Sequence, residues 1–265
     1  MSIAASPDSA GGRRLPALRP PFGTVAVTLA LLAFWEAASG RLFNAYYLSR
    51  PSELALKMLD WAASGYLWPH LLATLATTGL GFALAAVGGV GLALVAASNA
   101  TLDRVLAPFV FMSFALPKAM LAPVLILWFG VGWLPSLLLS FLTSFFMVFF
   151  NAYSGVRSVS PSLLNSVAVM GAGPVTMALK VRLPAALPFV LLGLHQGVIY
   201  AFHGAILGEM SASNLGLGYV LLFAATDMDA TGVLAALAIV GLLAFALIRL
   251  LNTIPGLKAA EGQGS

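Results

Sequence analysis

The chain has 265 residues, of which 60% are hydrophobic and only 8% charged. A water-soluble globule carries about 25% charged residues, so this composition excludes one. The chain contains no cysteine, which removes disulfide scaffolds, thiolate catalysis and cysteine metal sites together. The net charge of +4 comes from basic residues scattered between apolar runs, a pattern that fits positive-inside bias better than a nucleic-acid surface.

Mean hydropathy is +0.98, and apolar runs recur along most of the length, so one polytopic domain is expected. Residues 1–21, with Arg13, Arg14 and Arg19, read as a cytoplasmic N-terminal segment. The apolar stretch after it lacks a small-residue cleavage pattern and is followed by further spans, so it is a retained first helix. A transmembrane domain over 22–255 is expected to hold about six helices of roughly 20 residues, each long enough to cross about 30 Å of hydrocarbon. They run from about Phe22 to Gly40, Leu71 to Ala97, Leu106 to Val131, Leu134 to Tyr153, Ala186 to Leu207 and Gly232 to Leu251. Backbone groups inside lipid must bond internally, which makes the fold all-α. With both termini cytoplasmic, Arg104, Arg157, Lys180, Arg182, Arg249 and Lys258 lie inside and only Arg41, Arg50 and Lys57 outside. Residues 256–265 read as a cytoplasmic tail.

Two connections are more than turns. Residues 51–66 place Leu54, Leu56, Met58, Leu59 and Trp61 among Glu53, Lys57 and Asp60, suiting a helix in the outer interface or one packed on its neighbours. Ser52 is its expected N-cap, with Glu53 in the first turn. The inner connection, 158–184, opens with Ser160-Pro161, a cap and first-turn signal. Leu163, Leu164, Val167 and Met170 then form one apolar stripe, and Gly171-Ala172-Gly173-Pro174 breaks the helix. Val175 to Arg182 is too short and polar to span, and Pro184 is expected to begin the fifth span. A capped cytoplasmic helix with such a stripe either docks a partner or packs on the chain's own helix ends.

Asn165-Ser166-Val167-Ala168-Val169-Met170-Gly171, followed by Lys180-Val181-Arg182-Leu183-Pro184, resembles the cytoplasmic "EAA" loop of permease subunits from binding-protein-dependent ABC importers, including the spacing from Gly171 to Pro184. Leu125 to Gly130, Asn151 to Ser158, Leu183 to Pro188, Gly208-Glu209-Met210 and Gly216 to Tyr219 resemble the branch that imports nitrate, taurine, alkanesulfonates and pyrimidine precursors. Phe34-Trp35-Glu36 and Pro51-Ser52 are similar to that branch as well. The resemblance implies a type I ABC importer (MetI-like) fold in a bacterial inner membrane. It also implies a second permease copy, two cytoplasmic ATPases carrying the ATP and Mg, and an external solute-binding protein. It assigns ATPase coupling to Leu164, Asn165, Ser166, Val167, Gly171, Ala172, Lys180, Leu183 and Pro184. Asn165, Ser166 and Val167 stand where the family has Glu-Ala-Ala, so a hydrogen bond and apolar burial replace a charged contact.

No cofactor is expected in this chain. A P-loop needs Gly-Lys-Ser/Thr, and none of Lys57, Lys118, Lys180 or Lys258 follows a glycine, so ATP hydrolysis belongs to a partner chain. Ionisable and polar groups at membrane depth mark transport paths unless they are structurally paired. Lys118, in the proline-interrupted third span, and Glu209 and Ser211, at the outer end of the fifth, are the candidates. His195 and His203 are separated by about 12 Å of helical rise, too far to share one metal ion. His70 reads as interfacial, and Gly79, Gly81, Gly88, Gly89 and Gly91 as a close-packing surface. Two other readings are open: a stand-alone secondary transporter or channel, which would show paired intramembrane charges or an internal repeat, and an intramembrane enzyme, which would need a clustered nucleophile and base.

Overall fold

The computed structural model describes residues 22–44, 47–99, 101–106, 108 and 117–253. The expected N-terminal segment, the tail, and most of the first half of the third span lie outside the described residues. The chain divides into two compact units, Met1–Ser52 and Glu53–Ser265.

In the first unit, helix α1 (Phe22–Ala38) is an apolar run of 17 residues interrupted by one acid, Glu36. That carboxylate accepts the backbone N–H of Ser52 at 3.0 Å and the Ser52 hydroxyl at 2.8 Å. Helix α2 (Pro51–Ala63) starts two residues earlier than a Ser52 cap would allow, with Pro51 in its first turn, where a missing N–H costs nothing. Ser52 is therefore not the N-cap. Its side chain lies inside the first turn and gives its proton to Glu36, which takes over the capping of that amide.

The second unit continues α2 from Glu53 and adds α3 (Leu67–Ser98), a 3₁₀ turn (Lys118–Leu121) leading into α4 (Ala122–Phe129), α5 (Trp133–Arg157), α6 (Pro161–Val169), α7 (Pro174–Ala212), α8 (Leu217–Thr226) and α9 (Ala230–Leu251). Helices α3, α5, α7 and α9 are long and apolar enough to cross a membrane. Val25–Ala38, Lys118–Phe129 and Leu217–Thr226 are shorter apolar helices. Helix α8 has no counterpart among the six expected spans.

Helices α3, α5 and α7 form the core of this unit through small residues. A Cβ added at Gly81 of α3 would sit 2.3 Å from Ser140 Oγ, and one at Gly204 of α7 would sit 2.1 Å from Thr143 Oγ1. One added at Gly208 would meet the Ser136 backbone at 2.5 Å. Lipid supplies no hydrophobic force between helices, so close backbone approach and interhelical hydrogen bonds hold them together. Ser140 donates to the Ala201 carbonyl at 2.9 Å and Trp133 Nε1 donates to Thr77 Oγ1 at 2.9 Å. The glycine-rich surface of α3 thus packs as expected at Gly81, Gly88 and Gly89, whereas Gly79 and Gly91 face open space.

The chain does not break between Arg182 and Pro184. Residues Met177–Arg182 form a π-helical stretch inside the continuous helix α7. In a regular helix the Pro184 ring would collide with the Lys180 carbonyl. The wider turn carries that carbonyl aside, so the proline is absorbed and the helix passes unbroken from the loop into the span.

Candidate functional sites

The loop between α5 and α7 is built from its caps inward. Ser160 adopts extended backbone and its hydroxyl accepts the Leu163 N–H at 3.4 Å, with Pro161 in the first turn, as the sequence predicts. At the other end Gly171 has φ of +86°. Its N–H donates to the Ala168 carbonyl at 2.9 Å and the Ala172 N–H to the Val167 carbonyl at 3.3 Å. This is a Schellman closure, which requires the left-handed backbone that glycine adopts without strain.

The apolar stripe does not stand out as one free face. Leu164 and Val167 turn inward and are half-buried, while Val169, Met170 and Val175 are 90%, 84% and 70% exposed. Leu164 helps line a cavity of about 370 Å³ together with Asp103, Arg157 and Arg182. Charged groups brace that inner side. Arg157 lies 3.7 Å from Asp103 and donates to the Tyr153 hydroxyl at 3.1 Å, Tyr153 donates to Asp103, and Arg182 donates to the Ala97 carbonyl at the end of α3. Asn165, Ser166, Lys180 and Pro184 are exposed, and Ala172 and Leu183 are half-buried. Ser166 turns its hydroxyl back onto the Ser162 carbonyl at 2.9 Å. The loop residues singled out from the sequence therefore form one continuous segment, capped at both ends of α6 and open outward.

The candidates at membrane depth separate. Glu209 is 1% exposed. One of its oxygens accepts the Thr74 hydroxyl at 2.8 Å and the Gly218 N–H at 3.0 Å. Thr74 accepts the Leu217 N–H at 2.9 Å, and His70 Nδ1 accepts the Gly216 N–H at 3.2 Å. Three consecutive amides entering α8 are thus taken by side chains of α3 and α7, so Glu209 anchors α8 instead of presenting a surface charge. His70 is buried in the same cluster and stacks on Tyr219 with ring centroids 5.8 Å apart. Ser211 is exposed and bonds back to the Leu207 carbonyl at 2.9 Å. Its place two residues beyond Glu209 puts it on the other side of the helix. Lys118 is half-exposed, with Nζ 5.7 Å from the Phe146 ring centroid. His195 is buried and pairs through Nε2 with Asn252 Oδ1 at 3.2 Å. Sequence reasoning missed the anchoring cluster, because Thr74 and Glu209 are 135 residues apart. The visible signal was the combination of Gly216 and Gly218 with an acid at the end of an apolar run.

The family profile described as "Binding-protein-dependent transport system inner membrane component" matches residues 89–254. The chain is similar to the formylaminopyrimidine transport permease protein ThiX of Halalkalibacterium halodurans, 32% identical over 229 residues, covering 85% of this chain and 91% of that protein. It is similar to the riboflavin transport system permease protein RibX of Chloroflexus aurantiacus, 32% identical, covering 86% and 85%. The taurine transport system permease protein TauC of Escherichia coli is 29% identical, with 85% and 83% covered. Among solved structures, an inward-facing form of the MetNI methionine ABC transporter superposes with a TM-score of 0.59 at 18% identity, over 72% of this chain and 93% of that one, a likeness of fold.

Proposed function

The chain belongs to the binding-protein-dependent transport system inner membrane components and is the permease subunit of an ABC importer, and from that premise we propose that segment 158–184 is the handle by which separate ATPase chains drive it. Leu164, Asn165, Ser166, Val167, Gly171, Ala172, Lys180, Leu183 and Pro184 make up the handle. The observation that carries this is the Schellman-closed helix α6, set over a cavity that Leu164 lines together with Arg157, Arg182 and Asp103, while Val169, Met170 and Val175 stay open. Large apolar side chains left open on a short helix and the turn after it suit burial by a partner.

In this reading ATP and Mg stay on the partner, and this chain supplies no cofactor site. A second copy of the permease completes a central path, and a solute-binding protein delivers cargo to the opposite face. Both termini lie on the ATPase side, a placement supported by the surplus of arginine and lysine there. The solute is a small organic molecule or anion, in keeping with relatives named for formylaminopyrimidine, riboflavin and taurine transport.

Co-purification from membranes tests the handle. The tagged permease should bring down an ATPase chain in stoichiometric amount, and a Met170→Asp, Val175→Asp pair should release it while the permease stays folded. Retention of the ATPase by that variant, or ATP-independent solute uptake as fast with the permease alone as with its partners, would overturn the proposal.

A further inference from the structure

One flank of α7 carries a row of polar side chains beside the glycine-packed contact with α5. Gln196, Tyr200, His203, Leu207 and Ser211 follow one another at i, i+4, i+7, i+11 and i+15, a single face of a helix. Tyr200 is 41% exposed, His203 is exposed and Gln196 is half-exposed. His203 lies nine residues before the Ala212 end of α7, about 14 Å along the axis, near the middle of a hydrocarbon layer of about 30 Å. Hydrogen-bonding groups are costly against lipid at that depth and face water or protein instead.

Packing fixes which side this flank takes. Gly193, Gly197, Gly204 and Gly208 of α7 press on Asn151, Val148, Thr143 and Ser136 of α5, whereas Glu209 points to Thr74 of α3. The polar stripe lies on the far side of the glycine row from Glu209, away from α3. On α5, Ser140 and Val148 approach Gly81 and Gly89 of α3, and Thr143 and Asn151 meet α7. Phe146 falls on the remaining flank, again away from α3. Lys118, over the Phe146 ring, therefore lies on the same side of the α5–α7 pair as the stripe. Asn151 joins the two helices by donating to Gln196 Oε1 at 3.2 Å.

We propose that this flank, with Gln196, Tyr200 and His203 on α7 and Lys118 beside Phe146, is the wall of the transport path and receives the anionic group of the solute. The proposal rests on the importer reading and deepens it by naming wall and substrate class. The chemistry of the wall supports an anion: Lys118–Phe129 and Trp133–Arg157 contain no Asp or Glu, and the one carboxylate of α7, Glu209, faces the other way. Lysine, tyrosine, histidine and glutamine offer a cation and three hydrogen-bond donors. A seam between two copies would instead favour small residues, and those are spent on the α5–α7 contact.

The native chain has no cysteine, so single cysteines report without background. His203→Cys, Tyr200→Cys and Gln196→Cys, with Val87→Cys on α3 as a lipid-facing control, are made in the full chain and labelled in membrane vesicles. The probes are membrane-impermeant methanethiosulfonates, one anionic (sulfonatoethyl) and one cationic (trimethylammonioethyl). The α7 positions are expected to label from water while Val87→Cys does not, and the anionic reagent should react about tenfold faster than the cationic one. Lys118→Met should remove that preference. Three positions guard against one misfolded variant. Absence of labelling from water at all three would make the flank a lipid-facing or protein-covered surface and overturn the proposal. Labelling without preference for the anionic reagent would overturn the substrate class. ATPase co-purification is indifferent to these outcomes, so the importer reading can fail or stand independently.

Discussion

Gly171 separates two explanations of the loop that are otherwise hard to tell apart. Its φ of +86° is left-handed, and a Cβ built there meets nothing within 4 Å among the described residues. The only intrinsic cost of Gly171→Ala is the left-handed backbone, about 1–2 kcal/mol. That strain is confined to a helix end, and the spans should melt as in the parent. Asparagine tolerates the same backbone, so Gly171→Asn should cost less still while adding a side chain at the same point. If the loop seats in a groove of the ATPase, Gly171→Asn and Gly171→Trp will lose transport per ATP hydrolysed several-fold with little change in melting temperature, and the tryptophan variant will lose more. The assay is paired ATPase and uptake measurement in proteoliposomes containing the whole transporter, with thermal unfolding of each variant beside it. Wild-type coupling in Gly171→Trp would refute the reasoning, since the space around Gly171 would then be empty in the assembly as well. Coupling loss proportional to loss of stability would refute it equally.

Three further outcomes follow from the packing. Glu209→Ala leaves the Gly218 N–H without its acceptor and turns the Thr74 hydroxyl over to the His70 carbonyl at 3.2 Å, and should cost roughly 1–3 kcal/mol in unfolding experiments. Glu209→Gln, which keeps an acceptor oxygen, should lose less than half of that, and equal losses would contradict the anchoring role. Gly204→Ala would place a methyl group 2.1 Å from Thr143 Oγ1 and 2.7 Å from the Leu139 carbonyl, so it should lower stability by about 1–3 kcal/mol. Gly79→Ala, with nothing within 4 Å, should not lower it. Lys57 and Asp229 lie 3.2 Å apart, and both side chains are 35% exposed, so Lys57→Met should cost no more than about 0.5 kcal/mol and none at high salt. Asp229→Ala should cost about 1 kcal/mol more than Lys57→Met, because Asp229 also accepts the Gly232 N–H at 2.9 Å as the N-cap of α9.

Features that depend on neighbours along the chain are legible in the sequence alone. Ser160-Pro161 announces the start of α6 and Gly171 its end, because caps need particular residue types within a few positions of the helix. The long apolar runs of α3, α5 and α9 are equally plain. What fails are inferences that treat one residue as local when its partner is remote. Ser52 has the look of a cap and is instead bound by Glu36, sixteen residues away. Pro184 has the look of a helix start, yet a wider preceding turn absorbs it. Val175 to Arg182 reads as too polar to continue a span, but Arg182 Nη1 donates to the Ala97 carbonyl of another helix. Helix α8, ten residues long, is too short for a span-length search to register, and the cluster that fixes it draws on three separate segments.

The π-helical stretch in α7 has a mechanical meaning. Such a turn holds one residue more than the regular repeat, and drawing that surplus out of the helix at its loop end would rotate the turns on one side of it by about 100° around the axis relative to those on the other. Because the same helix runs from Pro174 at the loop to Ala212 at its far end, a push on the loop end need not translate the span at all. It can be delivered as torsion, turning Tyr200 and His203 about the axis like the bit of a screwdriver whose handle is gripped elsewhere.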